Sequence, residues 1–330
     1  MFFRSKVTIA AFAIERDLIH PSERVRQAAV RELGRVSPDF PDLAKKIERA
    51  AVDVSPFVRT TAMYSLLEQN LETSLRDTVL QALNDSASRV REAAVIALVH
   101  LDDETAHSHL AQLLDDADPA VRHAALLSVA EKQFFDFRER MEHILTNDPD
   151  DEVRAAAAAA LGECRPLPQE VLQQAAVSDS SLDVRFESAI SLAQAGVVGS
   201  ATLLVPFLAY GHMLTDVVEP LCHLADVAVH DPVKCLYERR FQPVAHKLLL
   251  GALLCRLGDE CARTYIEKKT RALFQETRVW AIYALGLSQT SWARTLLEKI
   301  VAKQSGTQEA ETAADALATF ESVNAFVVQS

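Results

Sequence analysis

The chain has 330 residues, of which 49% are hydrophobic, and its formal net charge is −12. This acidic balance excludes the clustered basic surface by which proteins bind nucleic-acid phosphates, so we expect no nucleic-acid partner. The five cysteines are odd in number and lack C-x-x-C spacing, which indicates free thiols and a reducing, cytoplasmic compartment rather than a disulfide framework. No apolar stretch is long enough to predict a membrane span.

The first predicted helix lies at residues 7–14, and a repeated pattern follows it along the chain. An arginine preceded by valine recurs at intervals of 33, 32, 31, 32 and 31 residues, at Arg26, Arg59, Arg91, Arg122, Arg154 and Arg185. An aspartate stands six residues before five of these arginines, at Asp53, Asp85, Asp116, Asp148 and Asp179. A leucine or valine follows seven residues after each arginine, as Leu98 and Val129 do. A fixed period of this length predicts a stacked array of structural repeats.

Each repeat reads as two helices. Residues 119–130 place Val121, Ala125 and Val129 at helical spacing, behind Asp118 as a predicted N-cap and Pro119 as a first helical residue. Residues 106–114 show the same apolar periodicity, and glycine is scarce, with alternating apolar runs absent. The predicted class is therefore all-α.

The recurring Asp-x4-Val-Arg pattern resembles the HEAT repeat, particularly the bacterial HEAT-like form of phycobilin lyase subunits. The resemblance covers residues 20–195 well, and later repeats keep only its phase, at Val217, Lys247, Arg278 and Ala310. It implies an α-solenoid of about ten two-helix repeats in a right-handed superhelical array. We expect one solenoid over residues 1–330, with regular repeats one to six in 1–195 and degenerate repeats seven to ten, ending in a C-terminal cap, in 196–330.

The resemblance also implies roles for the repeated polar residues. The turn aspartates are expected to cap the following helices and to pair with arginines of their own or the next repeat, as a structural ladder. This ladder comprises Arg59, Arg91, Arg122, Arg154 and Arg185 with Asp53, Asp85, Asp116, Asp148 and Asp179. The valine–arginine helices are expected to line the concave face of the array.

An apolar stripe lies five residues after the arginines, on the side of the helix turned away from the core positions. Its large members are Tyr64, Ile96, Leu127 and Ile190, with Phe186 one turn before the last of them. Two interpretations remain open: the stripe is a concave groove that binds a partner, or it is core between repeats.

The negative charge is concentrated in the middle of the sequence. Residues 101–200 carry 7 basic and 19 acidic residues, and 7 minus 19 is −12, which equals the charge of the whole chain. Stacking is expected to bring the acidic turns, including Asp115, Asp118, Asp150 and Asp151, into one acidic ridge. This ridge is either a solvated rim of helix-capping aspartates or a docking surface for a basic or amphipathic partner.

The residues indicate no catalytic chemistry. The histidines include no His-Glu dipeptide of the kind that binds iron in HEAT-like deoxyhypusine hydroxylases, and no phosphate-binding or nucleophile motif is present. We therefore predict no catalytic residues, no metal and no cofactor. The favoured function is a non-enzymatic scaffold or adaptor that binds a protein or peptide segment, and the alternative is a lyase-like accessory protein or chaperone that handles a tetrapyrrole or a maturing client.

Overall fold

A computed structural model describes residues 12–303 and 306–327, with side chains to residue 320. Of the predicted first helix at 7–14, residues 7–11 lie outside the described part, and residues 12–18 are helical. All regular structure in the described residues is helical, so the all-α prediction is confirmed there. None of the described helices is long and apolar enough to cross a membrane.

The chain forms two compact units, Met1–Pro168 and Gln169–Ser330. Besides residues 12–18, the first unit contains nine α-helices among its described residues. They are α1 (Glu23–Leu33), α2 (Leu43–Ala50), α3 (Pro56–Glu68), α4 (Arg76–Ala82), α5 (Ser88–Leu98), α6 (Asp103–Leu113), α7 (Pro119–Lys132), α8 (Arg138–Asn147) and α9 (Asp151–Gly162). A short 3-10 turn, Phe135–Phe137, precedes α8.

Helix α7 shows how the sequence sets the ends of a repeat helix. The side chain of Asp118 accepts a hydrogen bond from the backbone N–H of Ala120, and Pro119 occupies the first turn, where no N–H partner is needed. The helix ends at Gln133, whose φ of 56° places it in the left-handed region that commonly terminates helices. Both N-terminal features follow from the sequence, as predicted.

The helices of the first unit pair as hairpins, in which α2 packs on α3, α4 on α5, α6 on α7 and α8 on α9. The odd-numbered helices, which carry the valine–arginine pairs, also pack on one another in chain order. Fully buried leucines and valines, such as Leu66, Leu98 and Val129, fill the space between them. Neighbouring helices approach closely where buried alanines replace larger side chains, as Ala125 and Ala157 do. Burial of each large apolar side chain contributes about 1.5–3 kcal/mol.

The second unit contains ten α-helices among its described residues. They are α10 (Gln169–Ser178), α11 (Leu182–Gln194), α12 (Ala201–Leu204), α13 (Leu214–Leu224), α14 (His230–Tyr237), α15 (Val244–Arg256), α16 (Arg263–Lys269), α17 (Gln275–Ser288), α18 (Ser291–Lys303) and α19 (Gln308–Val327). Helices α11, α13, α15, α17 and α19 pack on one another in this order. The last four of these helices contain the positions at which the sequence keeps only the phase of the repeat. The second unit is therefore also a stack of helical hairpins, in which α12, only four residues long, takes the place of a full first helix.

Candidate binding surfaces

A ladder of arginine–aspartate pairs joins consecutive repeats of the first unit. Each arginine binds the aspartate of the following repeat through two parallel hydrogen bonds; Nε and Nη2 of Arg122, for example, each donate to one carboxylate oxygen of Asp148 at 2.7 Å. The same two-bond geometry occurs in the pairs Arg26–Asp53, Arg59–Asp85 and Arg91–Asp116. The pairs are largely buried, since Arg122 and Asp148 expose 11% and 6% of their side chains.

Both partners of each pair also bind the backbone of the turns. Nη1 of Arg122 donates to the carbonyl oxygen of Asp116, at 2.9 Å, within its own repeat. Oδ1 of Asp148 accepts the backbone N–H of Asp150, the residue that caps α9, at 3.0 Å. The ladder aspartates therefore fix the turn in front of the helix, while the residue two positions later occupies the N-cap itself. Because the charged atoms are committed to these bonds, the ladder holds turns together and offers no free group to a ligand.

The environment of the ladder shifts the pKa of its carboxyl groups. Burial by itself raises the pKa of Asp53, Asp85 and Asp116, but the arginine hydrogen bonds, the backbone N–H bonds and the nearby positive charges together outweigh burial and hold these pKa values below the ordinary one. The same bonds raise the pKa of Arg59 and Arg91. The carboxyl groups of Asp53, Asp85 and Asp116 are therefore ionised throughout the neutral range.

At the ladder positions of repeats five and six, the side chains bind the backbone of their turns as in the earlier repeats. Arg154 donates to the carbonyl oxygen of Asp148 at 2.9 Å, and Asp179 accepts the backbone N–H of Ser181 at 2.8 Å. At Arg185 the buried Nε has no hydrogen-bond partner in the described part of the chain. The reason is visible in the sequence, because a partner would be expected about 26 residues later and Gly211 stands there. The proposed pairing of Arg185 with a ladder aspartate is therefore not found.

Three residues of the apolar stripe are exposed in the first unit. Tyr64, Ile96 and Leu127 expose 43%, 39% and 52% of their surface and occupy the same position on α3, α5 and α7. The residues two positions further along each helix are fully buried, so the stripe lies on the opposite side from the core. Burial raises the pKa of the Tyr64 hydroxyl, and the charge of Glu92 adds to this shift. For these three residues the structure shows a surface, and the interpretation as core between repeats does not describe them.

The stripe residues of the second unit have a different environment. Ile190 is only 8% exposed, so at this position the interpretation as core between repeats fits and that as an exposed groove residue does not. Helix α11 is covered by α12 and α13, and the ring of Phe186 packs edge-on against Phe207 at a centroid distance of 5.1 Å. Ile190 and Phe186 instead border an open groove of about 540 Å³, together with acidic side chains that include Glu187. Burial, with Asp183 and Asp216 nearby, raises the pKa of Glu187.

The four aspartates of the predicted acidic ridge differ in the hydrogen bonds and ion pairs that they form. Asp118 and Asp150 are N-caps of α7 and α9, with their side chains accepting backbone N–H groups at 3.0 and 3.1 Å. Asp115 forms an ion pair with Arg140. Asp151 is exposed and forms no ion pair within the described residues. The structure thus gives half of this set a capping role, and Asp151 is the member left free for a partner.

The described residues contain no group of three or more histidine, cysteine, aspartate or glutamate side chains arranged to hold a metal ion.

A cavity of about 350 Å³ in the second unit was not predicted from the sequence. It is lined by polar and apolar side chains of α13, α15, α17 and α19, among them Glu219, Arg256, Tyr283 and Asp315. Three of its lining residues, Cys222, Tyr283 and Asp315, lie five positions after Val217, Arg278 and Ala310, so the same register that marks the stripe also marks this cavity.

Comparison with known proteins agrees with these features. Residues 65–130 and 139–212 match the family model for HEAT repeats. Among solved structures, importin beta is similar over 94% of this chain and 52% of its own length, with 13% identity and a TM-score of 0.55. Kap95p, in a structure of its binding to RanGDP, is similar over 96% of this chain and 51% of its own, with 11% identity and a TM-score of 0.51. The chain thus spans about half the length of either protein.

A third solved structure, the complex of CpcE and CpcF of phycocyanin lyase from Nostoc sp. PCC7120, is similar over 95% of this chain and 94% of its own, with 16% identity and a TM-score of 0.42. No curated protein sequence matches the chain significantly. The match over residues 65–130 and 139–212 agrees with the HEAT-like Asp-x4-Val-Arg pattern there, and the fold class is the α-solenoid. At these identities the structural likeness concerns the fold alone.

Proposed function

We propose that the protein is a non-enzymatic scaffold or adaptor, and that the stripe formed by Tyr64, Ile96 and Leu127 binds apolar side chains of a partner protein segment. The observation that carries the proposal is the exposure of these three large apolar residues at one repeated position of consecutive helices. Single exposed apolar residues are common on protein surfaces, whereas an aligned row of them is typical of binding sites.

The charges near the stripe suggest the chemistry of the partner. Leu127 stands nine residues after Asp118, the N-cap of α7, so the two are separated by about 13 Å along the helix axis at a rise of 1.5 Å per residue. Asp151 occupies the first turn of the next repeat helix. An amphipathic segment that places apolar side chains on the stripe and basic ones toward these turns matches both features.

The test compares substitutions in the stripe with one outside it. Tagged full-length protein is used to capture partners from native lysate, and the captured proteins are identified by mass spectrometry. We expect Ile96→Asp and Leu127→Asp each to weaken binding of the captured partner by at least about tenfold, because truncating or charging a central contact costs about 2 kcal/mol or more. Val177→Asp is the matched control, since Val177 is 67% exposed on α10.

Folding is followed in the same variants. Because Ile96 and Leu127 are exposed, the aspartate substitutions are expected to change the free energy of unfolding in urea by no more than about 0.5 kcal/mol. Unchanged capture by both stripe variants would refute the proposal. A large loss of stability would show that the two side chains belong to the core. Ile190→Asp is excluded from this test because Ile190 is buried and its substitution is expected to destabilise the second unit.

A further inference from the structure

The cavity of about 350 Å³ in the second unit is built by four consecutive repeat helices. Its volume lies at the lower end of the range of about 300–1,000 Å³ that is typical of small-molecule sites. Its lining includes polar side chains that are able to orient a ligand, among them Glu219, His223, Arg256, Tyr283, Gln289 and Asp315. The size of the cavity therefore suits a small molecule better than a folded partner.

The positive charge at the cavity comes from Arg256 at the end of α15. Its Nε donates to the carbonyl oxygen of Cys222 at 3.0 Å, and the side chain is half-buried. No carboxylate in the described part of the chain forms a salt bridge with it, in contrast to the ladder arginines of the first unit. A half-buried guanidinium without a carboxylate partner is a ready site for an anionic group, because arginine binds carboxylates through two parallel hydrogen bonds.

Two carboxylates supply the opposite charge. Glu219 on α13 and Asp315 on α19 both line the cavity, and neither forms a salt bridge within the described residues. The hydroxyl of Tyr283 donates to Oε2 of Glu219 at 3.4 Å. Burial, followed by the charge of Glu219, raises the pKa of Tyr283 to about 12, so the hydroxyl remains a neutral donor. The cavity is thus lined by the half-buried Arg256 and by two exposed carboxylates, and these charges form no salt bridge with each other in the described part of the chain.

Part of the wall is apolar and closely packed. Cys222, Leu287 and Ala316 line the cavity, and burial raises the pKa of the Cys222 thiol to about 12, so it carries no charge. Gly286 lets α17 approach α19 there, because a Cβ atom at this position would lie 2.9 Å from the Cβ of Ala316. This wall suits an uncharged, apolar side chain.

We propose that this cavity binds a free α-amino acid with an apolar side chain. Its carboxylate pairs with Arg256, its ammonium group faces Glu219 and Asp315, and its side chain packs against the apolar wall. A purely anionic ligand would meet two carboxylates, and a purely cationic one would meet Arg256. A zwitterion satisfies both signs at once.

The experiment uses the full-length protein and calorimetric titration with L-phenylalanine and L-leucine at up to millimolar concentration. Each single-charge analogue tests one end of the ligand: N-acetyl-L-phenylalanine removes the ammonium charge and L-phenylalaninamide removes the carboxylate. The proposal predicts saturable binding of L-phenylalanine or L-leucine and at least about tenfold weaker binding of both analogues, because each loses a charge-assisted hydrogen bond. The analogues also separate a free amino acid from the C-terminal or N-terminal residue of a peptide, which would resemble one analogue or the other.

Substitutions locate the site. Arg256→Gln and the double substitution Glu219→Gln with Asp315→Asn are each expected to weaken binding by at least about tenfold. Arg271→Gln is the matched control, because Arg271 is exposed in the same unit and does not line the cavity. Helical circular dichroism checks folding, and Arg256→Lys, which keeps the positive charge, is expected to bind with intermediate affinity. The proposal is overturned if neither amino acid binds, if either analogue binds as tightly as L-phenylalanine, or if Arg271→Gln weakens binding as much as Arg256→Gln.

Discussion

Replacement of Arg122 by alanine tests the role of the ladder most sharply. Arg122 joins repeats four and five through its two bonds to Asp148 and holds its own turn through the carbonyl oxygens of Asp116 and Ala117. Alanine at this position removes all four hydrogen bonds. It leaves the carboxylate of Asp148, which is 6% exposed, with only the backbone N–H of Asp150 as a partner.

The expected loss follows from this uncompensated charge. Breaking a buried ion pair by removal of one partner costs about 3–5 kcal/mol, and residual access to water lowers this to about 2–4 kcal/mol for a pair that is 11% and 6% exposed. A loss of this size corresponds to a decrease of roughly 4–16 °C in the melting temperature of a unit of this length. Because stacked repeats couple mainly to their neighbours, the loss is expected to be concentrated between repeats four and five.

Urea unfolding followed by helical circular dichroism measures this loss, and hydrogen exchange locates it. Arg35→Ala is the control, because Arg35 is 63% exposed and its ion pair with Glu32, at 3.4 Å, is expected to contribute less than about 0.5 kcal/mol. Arg122→Met combined with Asp148→Asn is expected to recover at least about 1 kcal/mol, since no unpaired charge remains. If Arg122→Ala lies within about 0.5 kcal/mol of the wild type, the ladder does not hold the repeats together.

Three further predictions concern pH and packing. The pKa values of Asp53, Asp85 and Asp116 lie below the ordinary 3.8 in the folded protein. Their contribution to stability is therefore present above that pH and is lost as the pH falls through the lower folded values. A urea midpoint that did not decrease below about pH 4 would contradict this prediction. The pKa of Glu187 is raised, so its effect on stability is the opposite: it is unfavourable and grows as the pH rises above the ordinary 4.5. Glu187→Gln is therefore expected to raise the urea midpoint at pH 7 and to leave it unchanged at pH 4. A decrease of the midpoint at pH 7 would contradict the raised pKa. Gly286→Val is expected to destabilise the second unit by about 1–3 kcal/mol in urea unfolding, because the valine side chain would meet Ala316 where α17 contacts α19. A stabilised variant would show that this contact is loosely packed.

Much of the fold can be predicted from the spacing of the repeats, because residues at the same position of each repeat meet the same packing requirement. The phase of the repeat locates the second helix even where the valine–arginine pair is lost, as at Val217 in α13 and Lys247 in α15. Asp118 and Pro119 predict the start of α7 from local chemistry alone. These features depend on residues close in sequence or one repeat apart, so a single chain is sufficient to predict them.

Features that depend on departures from the repeat are not predictable in the same way. Ile190 occupies the stripe position, yet it is buried because the irregular segment after α11 supplies α12 and Phe207. The missing partner of Arg185 follows from Gly211, but only once the spacing of the other pairs is known. The cavity of the second unit lies on the same register, and its lining includes Arg256 and Glu219, which the repeat pattern does not mark.

The central claim is that the stripe of the first unit contacts a partner protein. Site-specific photo-crosslinking tests it most directly, with benzoylphenylalanine placed at position 127, where Leu127 is 52% exposed, or at position 177, where Val177 is 67% exposed. We expect the probe at position 127 to crosslink to the partner captured by the wild-type protein and the probe at position 177 not to do so. Crosslinking of that partner only from position 177, or equally from both positions, would contradict it.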